Sequence, residues 1–324
     1  MTYVSTGLIQ ASDYNGFVST NSGANVNATW NSTYGQTALA TVSPAATVSA
    51  TNWATLNTTI ASMANHQATT ITSRSGPTAN STISIQAALS SDIGNCYTNR
   101  YNAYAVGSQY TSWTGTASQT AVTGHRASTW TITFTDTLTF ANTTAATNFF
   151  GSGGLVKIQF SKSSTGFNAD ASWNSLASTV CGAVWFTSDS GTKTISGVSY
   201  NGTKVIGGTG TPTTIGTAIG YNQLTGVAQT IYKQFNTSYV YTGEYIQVDA
   251  LKSGATVTFT TSWFSPARNV AGTSNEISGG TATTGISFGT APTTVVTYFP
   301  PETTYLTNTW GTPTVASSVS APVY

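Results

Sequence analysis

Apolar residues follow two different periods along this chain. In the N-terminal third they recur every three or four positions, the spacing of one helical face. Segment 11–20 offers Ser12 or Asp13 as a helix N-cap, with Tyr14, Phe17 and Val18 following on one side. Segment 50–68 repeats the plan: Thr51 or Asn52 caps, and Trp53, Leu56, Ile60 and Met63 come at spacings of three, four and three. That is a short heptad seam, the geometry by which a helix packs on a partner helix. A third helix is predicted over 84–104, with Ile85, Leu89, Ile93, Cys96 and Arg100 on its inner side.

From about residue 120 the period falls to two. Trp130-Thr131-Ile132-Thr133-Phe134-Thr135 alternates cleanly, as do Val156–Ser161 and Thr256–Thr260. Further strands are expected at 193–200, 203–207, 228–235, 239–249, 285–288 and 294–299, separated by turn signals such as Lys252-Ser253-Gly254 and Asn201-Gly202. One helix interrupts them at 169–180, where Asp170 precedes Trp173, Leu176 and Val180. The expected architecture is α+β, mainly β. A small helical N-terminal region (1–118) serves docking and oligomerisation. An antiparallel β-sandwich or jelly-roll-like domain (119–299) follows, then an extended tail (300–324). The tail contains Pro300, Pro301, Pro313 and Pro322 and is expected to lie against a neighbouring copy.

Composition changes this picture in one respect. Only 6 % of the 324 residues are charged, where about a quarter is usual. Ser, Thr, Asn, Gln and Gly do the solubilising instead. Such a surface tolerates contact with copies of itself, because little charge is desolvated when faces meet. The ten basic residues are scattered singly, which argues against nucleic-acid binding. No stretch approaches the roughly 20 apolar residues of a membrane span. Met1–Gly7 has neither a basic start nor an apolar run, so the expectation is a chain made in a host cytoplasm and released by lysis.

Candidate chemistry is thin. Cys96 and Cys181 lack zinc-site spacing with His66 and His125, and read as buried reduced thiols, a disulfide being the alternative. Among nine acids, Glu244 and Asp249 are the nearest pair within one strand, and alternation points them to opposite faces. Gly285-Ile286-Ser287-Phe288-Gly289 has the letters of a nucleophile elbow, but Thr290-Ala291-Pro292 follows where a helix is required. His66 reads as a structural residue at a helix C-terminus, and His125-Arg126 as a surface or interface pair. The glycine-rich runs lack a phosphate loop's Lys-Ser/Thr. No catalytic residue, cofactor or metal ligand is assigned, and the chain reads as a non-enzyme.

Gly7–Asn15, Tyr34-Gly35-Gln36, and Trp53, Leu56 and His66-Gln67 resemble segments of virion structural proteins of marine tailed phages, especially contractile-tailed cyanophages. Asn148–Ile158 and Tyr241–Ile246 are similar to the same group. The resemblance implies membership of a particle, with no functional residues to carry over. The leading expectation is a structural subunit of the neck, tail or baseplate, assembling symmetrically with copies of itself and other virion proteins. Tyr14, Phe17, Trp53, Leu56, Ile60 and Met63 are its expected oligomer interface, so that Leu56→Asp would abolish assembly. The alternatives are a host-binding fibre or adhesin gripping a surface glycan, with Trp263 or Trp310 available to stack on sugar, and a capsid decoration protein.

Overall fold

The computed structural model describes residues 10–20, 23–72, 86–107, 111–116, 129–164, 168–237, 241–266 and 291–320. Four helices come first: α1 (Ala11–Asn15, continued by a π-turn over Gly16–Thr20), α2 (Val26–Trp30), α3 (Ala50–His66) and α4 (Gln86–Thr98). Local chemistry starts them. The Asn25 side chain accepts from the Ala28 amide at α2, and Ser49 and Asn52 cap α3 reciprocally. The α3 cap therefore lies two or three residues before the expected Thr51 or Asn52. Helix α4 stops at Thr98, so Arg100 leaves the predicted inner face and lies over the Tyr97 and Tyr101 rings.

The remainder is a two-sheet sandwich. Strands β1 (Thr111–Thr116), β2 (Trp130–Thr139), β3 (Leu155–Ser161), β4 (Ala183–Phe186), β5 (Thr192–Ile195), β6 (Val198–Asn201) and β7 (Thr203–Ile206) are followed by β8 (Thr214–Ile215), β9 (Gln229–Phe235), β10 (Tyr245–Ser253), β11 (Thr256–Ser265), β12 (Thr293–Phe299) and β13 (Thr314–Val319). One sheet runs β1-β12-β3-β4-β7, the other β13-β2-β11-β10-β9-β8, and β5-β6 is a separate hairpin. All their pairings are antiparallel. The sheets meet through rings: Phe160 of β3 stacks on Tyr232 of β9, and Phe186 of β4 meets Phe259 of β11 edge-on. Two more helices complete the layers, α5 (Thr143–Gly151) and α6 (Asn168–Ser175, with a π-turn to Val180).

The α+β, mainly β, expectation holds. The inserted helix and most strands fall where alternation and capping put them. Others do not: the strand expected at 193–200 is the β5–β6 hairpin, and α2 and β4 were not expected. Residues 111–116, assigned to the helical region, form an edge strand of the five-stranded sheet. Residues 314–319, assigned to a tail against another copy, pair with β2 of the same chain, while Leu306 and Trp310 are buried in its core. Helix α5 has an Asn142 cap and no counterpart in the prediction. The strand predicted at 285–288 lies outside the described residues.

A larger correction concerns the helical layer. Tyr14, Phe17, Trp53, Leu56, Ile60 and Met63 are at most 2 % exposed, and belong to the same core as Phe134, Phe150 and Trp263. The seam is used inside the chain. The turn after α2 also approaches α5 closely: Gly35, at φ +67°, lies where a Cβ would overlap the Asn148 side chain. Leu56→Ala should therefore cost about 2–5 kcal/mol of folding stability, measured by urea unfolding. Leu56→Asp should give misfolded protein rather than the soluble monomer expected of an interface variant, which circular dichroism will distinguish.

Candidate functional site

Strand alternation in β2 sends Trp130, Ile132, Phe134 and Leu138 inward, leaving Thr131, Thr133, Thr135, Thr137 and Thr139 on the outer face. β11 does the same with Thr256, Thr258, Thr260 and Ser262. The register then sets hydroxyl against hydroxyl: Thr139 faces Thr256, Thr137 faces Thr258, Thr135 faces Thr260 and Thr133 faces Ser262. β13 extends the rows with Thr314, Ala316 and Ser318 opposite Thr139, Thr137 and Thr135. Strand spacing and residue rise make this a grid of about 4.8 by 6.7 Å, and each Thr pair stabilises the sheet by roughly 0.2–1 kcal/mol. No charged side chain lies on β2, β11 or β13 in this face.

Polarity rises towards β9. Asp249 accepts from Thr230 Oγ1 at 2.6 Å and from Gln247 Nε2 at 3.0 Å. At one end of the face Phe235, Tyr245 and Phe264 stand in a row across three strands. Tyr245 and Phe264 stack at 4.6 Å, Phe235 meets Tyr245 edge-on at 5.2 Å, and Lys233 Nζ sits 3.7 Å from the Tyr245 centroid. Burial, then Asp249, raises the Tyr245 pKa. The broad sides of these rings are engaged by one another and by the ammonium, which leaves them poorly placed to stack on a sugar.

Elsewhere the polar groups are interior. His66 ends α3 with Nε2 3.0 Å from the Ser152 carbonyl, which can only accept, so Nε2 carries the hydrogen. Burial drives its pKa down to about 4, outweighing that hydrogen bond and Glu302. The ring is neutral, so the expected interaction of a charged His with the helix dipole is absent. Cys96 and Cys181 are buried thiols with no disulfide between them, and burial pushes the Cys181 thiol up to about 12. Lys193 is buried with Nζ on Thr187 Oγ1 (3.2 Å), Gly191 O (2.8 Å) and Asp189 O, pinning the loop before β5; burial lowers it to about 8 despite Asp189. Asn236 Nδ2 bridges Ser172 Oγ at 2.7 Å and Glu244 Oε2 at 3.0 Å, all buried. Lys162 and Asp170 form a buried ion pair.

Glu244 is buried just before β10 and Asp249 faces outward, so they diverge as alternation requires. Trp263 and Trp310, offered for sugar stacking, are at most 1 % exposed and cannot reach one. His125-Arg126 and Gly285–Gly289 lie outside the described residues. Among the described residues no three His, Cys, Asp or Glu side chains gather to hold a metal, and no helix is long and apolar enough to cross a membrane. The hydroxyl grid had a partial signal in the sequence, since each strand's alternation exposes its own threonines. No family model matches this chain, and no curated protein or solved structure does.

Because His66 is neutral in the fold and titrates near 6.5 when unfolded, the unfolded chain binds the extra proton between those values. Stability is full above pH 6.5 and falls as pH drops towards 4, by about 3 kcal/mol. Denaturant titrations across that window should show the loss in the native chain. His66→Gln, which keeps a donor near Ser152, should show a flatter response.

Proposed function

We propose that this chain is a non-enzymatic structural subunit of a tailed-phage particle, in the neck, tail or baseplate region, and that it assembles side by side with copies of itself. The observation that carries the reading is the register-matched hydroxyl grid on β13, β2 and β11. A hydroxyl both donates and accepts, and each threonine adds a methyl group, so such a face is complementary to itself. Little desolvation of charge opposes its burial. The low charge of the chain and its resemblance to virion structural proteins support the same reading. Closed symmetry would repeat one modest contact many times, and affinity would come from that repetition.

The helical seam is already buried within the chain, so the contact is placed on the sheet instead. The glycan-gripping alternative draws no support from the aromatic row at the end of the grid, whose ring faces are occupied.

Thr133→Lys combined with Thr258→Lys puts two ammonium groups on the outer face without touching the core, and should cost no more than about 2 kcal/mol of folding stability. Light scattering and native mass spectrometry of the purified chain should show an assembly for the native sequence and a monomer for the variant, with the variant still melting cooperatively. A native chain that stays monomeric when concentrated, or a variant that assembles equally well, overturns the proposal.

A further inference from the structure

Lys162 follows β3, and Asp170 lies in the first turn of α6. The two side chains meet, each 0 % exposed. The elements that carry them are clasped over one indole. Phe160, two positions before Lys162, and Trp173, three after Asp170, both pack against Trp263 of β11, at 6.5 and 5.6 Å between centroids. Ser163 O accepts a hydrogen from Lys162 Nζ at 3.1 Å, which helps fix the nitrogen.

Two ions held in such a place gain much of their attraction only to lose it again to desolvation. Burial lowers the Lys162 amine to about 8, which brings its neutral, nucleophilic form within reach of neutral pH. Groups held in contact react as though each were present at an effective concentration of up to about 10⁵–10⁸ M.

We propose that Lys162 and Asp170 condense into an intramolecular amide, a covalent clasp between β3 and α6. A proton passes from the ammonium to the carboxylate. The neutral amine then attacks Cγ, a nitrogen–carbon bond forms, and the carbon–hydroxyl bond breaks. A second nitrogen hydrogen leaves with that hydroxyl as water. The pair carries no net charge before or after, and neither oxidant, reductant nor cofactor is consumed. The product is a neutral amide where two ions had been buried.

The test is the intact mass of the folded, full-length chain after incubation at neutral pH. The expected mass is lower than the sequence mass by one water. Trypsin should fail to cut after Lys162 and should release a single peptide spanning 158–193, lighter by a water, with no backbone fragments separating positions 162 and 170. Lys162→Arg should have its full sequence mass. A native chain at full mass overturns the proposal. So does a missing water accompanied by normal cleavage after Lys162, or one that persists in Lys162→Arg.

Discussion

Side chains of the helical layer close on main-chain groups at the end of the sandwich, and this joint makes the molecule one body. Gln36 does what a strand would do. Its Nε2 donates to Thr307 O at 2.8 Å, and its Oε1 accepts from Thr307 N at 3.0 Å. His66 reaches Ser152 O from α3, and Thr309 Oγ1 donates to Tyr34 O at 3.0 Å. Gln36 and His66 are buried, so losing either partner would strand polar groups away from water at about 1–3 kcal/mol each. Once the joint is closed, the apolar face of α3 has no second use. What remains for contact with other molecules is the polar exterior.

The strands were the most legible part of the sequence. Alternation over Trp130–Thr135 and Thr256–Thr260 has few competing explanations, because a slip of one residue would turn Phe134 or Phe259 out to water. The heptad residues of α3 were equally plain as buried positions, yet periodicity cannot say whether the partner is the same chain or another. Only the packing of α3 on α2 and α4, within the same core as the sandwich, decides that. β13 escaped notice because Thr-Val-Ala-Ser-Ser-Val is short, weakly apolar and preceded by Pro313. α5 is short too, and its Asn142 cap was a readable signal beside Phe149 and Phe150.

Legibility of the candidate site stops at the single strand. Thr133 and Thr135 can be read as outward-facing from β2 alone, and Thr258 and Thr260 from β11 alone. That they form rows depends on a pairing across more than a hundred residues, fixed by inward packing of Ile132 on one strand against Trp263 on the other. Lys162 and Asp170 meet for a similar reason, through the packing of Phe160 and Trp173 on a tryptophan far along the chain. In both cases the chemistry is local and its placement is not.

The position of β2 has a temporal consequence. It lies between β11 and β13 in its sheet, so neither neighbour exists when residues 130–139 leave the ribosome. At about 5–20 residues per second, the last of them emerges on the order of ten seconds or more after β2 itself. Until β11 emerges Ile132, Phe134 and Leu138 have no strand to join, and the edge that takes β13 stays open longer still. Completion of this sheet is thereby deferred until β13 has emerged, and nascent chains crowded on one message have an interval in which to pair with each other instead.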